Sequence, residues 1–334
     1  MLKWKLWEGS GEDWDAMLAN YPDYCVYQSF GWGEHKGKLG WTPVRLIANR
    51  AGKSVAMAQV LVRSFPFGVT FSWVPGGPVG SPEDWSASFI EAQKSVLGVR
   101  YLYCRINSLA EISEISRHNL ISTGWTRPSY PLLSGKSVLL DMVLPEMNWL
   151  ASINSKHRYY VKKSSASSIC WVHGETNQLQ KDFASLTRQL IEFKKVAPRE
   201  TDVDFLDRLQ RCLPYSTHIL VGYLDGQPVA GCLTLRQHAK AYYATAATIG
   251  LGRDLSASYS MVANLRSFMR KIGVTHFDFG GINPMAESAR GVDHFKRGFS
   301  SREIEYVGEW DFATAPFLRH AANYLIKLRS ASMS

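Results

Sequence analysis

Cysteine is scarce: five in 334 residues, with no CxxC pair among them. That excludes a disulfide-stapled scaffold and suits a reducing compartment. Nine histidines form no HExxH and no Cys/His ligand spacing, so no structural or catalytic metal is expected. No apolar run is long enough to span a bilayer, and MLKWKLWEGSGEDW lacks the apolar core of a signal peptide. A GxSxG elbow and a Walker lysine loop are both missing, which removes two common routes to hydrolase and NTPase chemistry. Acidic residues are in deficit, 29 against 38 Lys and Arg, for a formal net charge of +9. That balance suits a polyanion (nucleic acid, a phosphorylated substrate or an anionic membrane) and equally an ordinary basic enzyme. With 46% hydrophobic and 20% charged residues, the chain can bury a large core, and its length suggests about two domains.

A repeat supports that division. LIANRAGKSVAMAQVLVR, from Leu46, aligns without gaps with LVGYLDGQPVAGCLTLRQ, from Leu220, placing Gly52 on Gly226. Each is two apolar runs around a glycine turn, the pattern of a β-hairpin. Within one residue of the same offset, LGVRYLYCRIN matches IGVTHFDFGGIN, each after a helix-like segment with Gly98 or Gly273 at the helix C-cap position. One α/β unit used twice is the reading; chance likeness between hairpins is the alternative. Asp141–Pro145 reads as a strand leaving the first unit, and Glu146–Ser164 as a helix opening the second. The division is expected at 1–145, completed by a C-terminal helix over about 308–334, and 146–307.

Three stretches could carry chemistry. SKHRYYVKK puts Lys156, Arg158, Lys162 and Lys163 on a helix with tyrosines between them, suited to phosphates and unstacked bases, or simply to solvent. FSWVPGGPVG pairs an aromatic strand end at Trp73 with Gly76 and Gly77, which would admit a ligand to the backbone or merely form a turn. HFKRGFSSREIEYVGEW sets Phe295 and Lys296 in a loop, with Gly298 allowing a tight turn before a strand; a solvated turn with core-packed aromatics would look the same. Where a coenzyme A cradle would need glycines between strand and helix, the chain reads RDLSAS, so that cofactor is not expected.

Taken together, QSFGWGEHK, FSWVPGGPVG, SKHRYYVKK, the PVAGCLTLRQHAKAYYATAAT hairpin, FDFGGINP and HFKRGFSSREIEYVGEW resemble the FemX/FemA/FemB-like (FemABX) aminoacyl-tRNA-dependent peptidyltransferases. The resemblance covers most of the chain in the family's order, most specifically at FDFGGI and FKRGF. It implies an α/β (α+β) fold of two tandem acetyltransferase-like (GNAT) domains, each a mixed central sheet flanked by helices, here without a coiled-coil arm. It also implies an enzyme without cofactor that moves an amino acid from aminoacyl-tRNA to a peptide amine of a peptidoglycan precursor. Another acyl donor, used in exopolysaccharide or natural-product assembly, is the alternative. Lys296, beside Phe295, would sit at the reaction centre. Lys36 and Arg199 would hold a diphosphate on the peptide or glycopeptide acceptor, with Arg208 and Arg211 close to Arg199; Tyr243 would line the same groove. The helix of Lys156, Arg158, Lys162 and Lys163 would carry tRNA, and no DNA is expected. A cytoplasmic location follows, with peripheral contact at the inner face of the membrane within reach. One departure is Asn107-Ser108, where the family often has an acidic residue followed by proline; a base role there does not carry over.

Overall fold

The structure is a computed structural model describing residues 2–194 and 201–331. Residues up to Lys136 and from Glu305 onward form one compact unit, and Ser137–Ile304 the other. The sequence reading set these divisions at 145/146 and 307/308.

In the first unit, β1 (Lys3–Leu6), β2 (Thr42–Arg50), β3 (Lys53–Phe65), β4 (Val69–Gly76) and β5 (Tyr101–Glu111) lie side by side in chain order. The second unit holds β6 (Lys136–Leu140), β7 (Cys170–Gly174), β8 (Thr217–Leu224), β9 (Gln227–Gln237), β10 (Lys240–Thr248) and β11 (His276–Ile282), ordered β6-β11-β10-β9-β8-β7. β12 (Glu303–Ala313) returns to pair antiparallel with β5. The two expected hairpins are β2–β3 and β8–β9. Both turn through two positive-φ residues, Ala51-Gly52 and Asp225-Gly226, the twist-compatible turn of a two-residue hairpin. Gly98 caps the helix Phe89–Leu97 in the left-handed region, and Gly273 follows the helix Ala257–Lys271 with φ of 85°.

Two local expectations are corrected. The strand leaving the first unit is β6, not Asp141–Pro145. Asp141 Oδ1 accepts from the N–H groups of Val143 and Leu144, both at 2.8 Å, and this side-chain turn stops the strand. The helix expected over Glu146–Ser164 is two helices, Glu146–Ser152 and Ser155–Ser165. They break at Ile153-Asn154, where Asn154 Oδ1 accepts from Lys156 N–H as an N-cap.

Each unit packs its own core. Trp85, Phe89, Trp125 and Trp310 dominate the first, and Trp149, Phe277, Phe279 and Phe299 the second. In the first unit the parallel pair β4–β5 stays in register over eight positions, from Val69↔Tyr101 to Gly76↔Ser108. The repeat makes β10–β11 its counterpart. That pair holds only from Lys240↔His276 to Tyr242↔Asp278 and then parts. A bulge between Tyr243 and Thr245 bends β10 at this point, and φ of 96° at Gly280 bends β11. The second unit therefore has an open wedge between parallel strands, where the first has a closed pair.

At the other end of that sheet, edge strand β7 is pinned by aromatic contacts. The His173 ring stacks on Phe268 at 3.8 Å, and His218 lies 5.7 Å from the same ring. Burial, then His218 and Lys271, pushes the His173 pKa down to about 4. Below its ordinary value of 6.5 the unfolded chain binds a proton that the folded chain refuses, so stability falls as pH drops from 6.5 toward 4. Urea unfolding at several pH values should show this slope, and His173→Gln should flatten it. An equal slope in the variant would assign the acid sensitivity elsewhere.

Candidate active site

Near the point where the strands part, three ionisable side chains bind backbone groups of β11 and of the residue just past it. Asp278 Oδ1 accepts from Gly280 N–H at 2.8 Å. Lys296 Nζ donates to the Gly281 carbonyl at 2.7 Å. Asp293 Oδ2 accepts from Asn283 N–H at 2.9 Å. Ser137 Oγ donates a further, short hydrogen bond to Asp278 Oδ1. Asp278 and Asp293 are buried and Lys296 is half-buried. Burial lowers the Lys296 pKa, while Asp278 and Asp293 oppose that shift and favour the ammonium. A Cβ on Gly280 would stand 2.9 Å from Lys296 Nζ and 3.5 Å from the Tyr243 carbonyl oxygen. Glycine there lets the cation reach the floor of the wedge.

Phe295–Phe299 is not a loop. It is the last turn of the helix Arg290–Phe299, on which Asp293 and Lys296 are three residues apart and share a face. Gly298 therefore serves close packing rather than a turn: a Cβ there would overlap the His157 ring at Cε1, Nε2 and Cδ2. His157, buried on the helix Ser155–Ser165, donates from Nε2 to the Phe295 carbonyl at 3.1 Å. Asn154 N–H donates to the Gly298 carbonyl at 3.0 Å. These two bonds fix the helix end that carries Lys296. Phe295 packs against Tyr259, Phe299 and Phe279, with centroids 5.2, 5.1 and 6.2 Å away. Tyr243 lies on Phe279 at 4.9 Å, and burial raises its phenol pKa.

Asp278, Asp293 and His157 escaped the sequence reading. An aspartate inside the apolar strand His276–Ile282, and another one turn before Lys296, were the available signals; nothing in the sequence marked His157 as touching the far helix.

Of the cations expected to carry tRNA, Lys156, Lys162 and Lys163 are exposed on the outer face of their helix, opposite buried His157, Val161 and Ser164. Arg158 is committed elsewhere. Its Nη1 donates to the carbonyls of Ala151 at 2.6 Å and Leu150 at 3.3 Å, satisfying the end of the preceding helix. In the first unit, Lys36 lies 4.9 Å above the Trp32 ring, which meets Tyr27 edge-on at 5.0 Å. Gly76, with φ of 72°, and Gly77 are closely approached by the chain's own side chains. A Cβ at Gly76 would meet Cys25 Sγ, and one at Gly77 would lie 2.6 Å from Gln28 Cδ. Trp73 packs on Trp41 at 5.8 Å. Arg199 lies outside the described residues.

The wedge, Lys296 and the aromatic wall fall inside the stretch that a sequence model of the FemAB family matches, residues 172–327. That match, just under half of the chain, makes this stretch FemAB-like. Over 99 residues it is 30% identical to a lipid II:glycine glycyltransferase of Staphylococcus haemolyticus (strain JCSC1435), a match covering 29% of this chain and 24% of that relative. The chain thus spans about a quarter of the curated relative's length. In three dimensions it is similar to FemX, with a TM-score of 0.80 at 16% identity, covering 92% of this chain and 96% of that one. A tandem GNAT protein from the clavulanic acid biosynthesis pathway gives a TM-score of 0.55 at 9% identity, covering 95% and 99%. The fold is α/β and GNAT-like, as the repeat and the resemblance implied.

Proposed function

We propose that this FemAB-like protein is an aminoacyltransferase, moving an amino acid from aminoacyl-tRNA to a peptide amine of a peptidoglycan precursor at the cytoplasmic side of the membrane. The observation that carries the reading is Lys296 Nζ, tied to the Gly281 carbonyl at the open end of the β10–β11 wedge. Parted parallel strands leave a gap that can admit an extended acyl donor beside Lys296. The acceptor amine attacks the ester carbonyl; a C–N bond forms and the C–O bond to the ribose breaks. Negative charge grows first on the carbonyl oxygen and then on the leaving ribose oxygen. A pre-positioned ammonium stabilises that charge more than it stabilises the ester. The net proton passes from the amine to the ribose oxygen. No protein nucleophile is needed, in keeping with the absent elbow. The relative's name, a glycyltransferase acting on lipid II, supports the reaction class. Lys36, above Trp32, is the proposed contact for an acceptor diphosphate.

The test supplies the protein with charged tRNA, with an acyl-coenzyme A, and with neither, and asks which donor loses its acyl group. Deacylation of tRNA with capture by a peptide amine is expected; loss from acyl-coenzyme A alone would favour the other-donor acyltransferase. Lys156, Lys162 and Lys163 supply the proposed tRNA surface. Their joint replacement by serine should weaken tRNA binding across sequences. It should also flatten the log–log salt slope by roughly 0.7 to 0.9 for each phosphate that is no longer neutralised. Unchanged affinity and slope would move the tRNA to another surface. Arg158 is left out of that variant because its loss would unsettle the helix before it.

A further inference from the structure

The helix Pro316–Ala331 closes the first unit with its polar side inward. Buried Asn323 accepts at Oδ1 from Arg105 Nη2 and donates from Nδ2 to Asp311 Oδ2, both at 2.8 Å. Arg319 pairs with Asp311 at 3.1 Å, Leu318 is buried and Ile326 half-buried. The outer face is the apolar one. Phe317, Tyr324 and Leu325 are each at least 60% exposed, Leu328 is exposed too, and Ala321 lies between them. Their spacing of four, seven, eight and eleven residues from Phe317 makes one stripe, about 18 Å long at 1.5 Å per residue. The adjoining loop is held by Tyr130 N–H donating to Asn323 Oδ1, and it exposes Leu132 and Leu133 as well. A helix that served only its own core would turn these faces the other way. A contiguous apolar surface of this kind marks a contact with something else.

Charge selects the occupant. The helix has no Asp or Glu, while His320 and Lys327 are exposed on it. At the Phe317 end, Arg100 covers Tyr101, whose ring meets Phe317 at 6.1 Å. A second copy would press two cationic helices together. An anionic lipid surface offers headgroups to the cations and an acyl boundary to the stripe. Among the described residues no helix is long and apolar enough to cross a membrane. We propose that this stripe, with Leu132 and Leu133, docks the protein in the plane of an anionic bilayer. The inference goes beyond the transfer reaction and is tested without turnover.

The experiment is flotation of the whole protein with vesicles of phosphatidylcholine containing phosphatidylglycerol, and with phosphatidylcholine alone. Binding is expected on the mixed vesicles and should be weak on the neutral ones. Phe317→Ser with Leu325→Ser and Leu328→Ser, all at exposed positions, should lower partitioning by about tenfold or more. Lys327→Glu should weaken binding to the anionic vesicles only. If the wild type floats with neither vesicle, or the triple variant floats as well as wild type, the docking surface is refuted. A dimer in analytical ultracentrifugation that the triple variant disperses, without vesicle binding, would assign the stripe to a second copy and overturn the proposal.

Discussion

Lys296→Ala is expected to lower turnover by about 10²-fold or more, the scale seen when one pre-organised oxyanion donor is removed. The same side chain also ties down the Gly281 carbonyl, so a fall in activity could reflect a loosened wedge. Lys296→Met keeps most of the aliphatic packing while removing both the charge and the tie, so its melting point reports whether loss of the tie has loosened the wedge. With melting near wild type, either variant should lose turnover while still binding the acceptor. Lys296→Arg should fail as well. The space at Nζ is bounded by Gly280, where even a Cβ would stand at 2.9 Å, and a planar guanidinium does not reproduce a compact point charge. Wild-type turnover in well-folded Lys296→Ala would remove the lysine from the mechanism and leave it a structural clamp.

Gly298→Ala carries the second large effect, opposite in sign to local propensity. In an exposed helix interior, alanine in place of glycine would stabilise by about 1 kcal/mol. Here the new methyl overlaps the His157 ring, and overpacking of that kind typically costs about 1–3 kcal/mol. The collision also pushes on the His157–Phe295 hydrogen bond that fixes the helix turn before Lys296, so activity should fall along with stability. Denaturant midpoints for Gly298→Ala, His157→Ala and the double variant form a cycle, and the double variant should be more stable than the sum of the single losses. A Gly298→Ala protein at least as stable as wild type would show that His157 and the helix end do not pack as described.

The sequence alone determined whatever depends on neighbours along the chain. The two hairpins were legible because Gly52 and Gly226 sit at turns that demand positive φ, between apolar runs. The helix ends at Gly98 and Gly273 were legible for the same reason. The doubled α/β unit followed from those signals in order, the resemblance to FemABX enzymes rested on motifs such as FDFGGI and FKRGF, and Lys296 stood out within the latter. Local misreadings came where side chains competed with the backbone, as when Asp141 ended a strand and Asn154 split a helix. Only the tertiary structure decided that β10 and β11 part while β4 and β5 do not. The pairing stops where β10 bulges and Gly280 bends β11, and side chains distant in sequence, Lys296 and Asp293, bind backbone groups nearby. The fold likewise decided that Gly298 makes room for His157, that Arg158 serves the neighbouring helix, and that the last helix turns its apolar stripe outward. None of these has a local signature, because each is a choice of partner made across the fold.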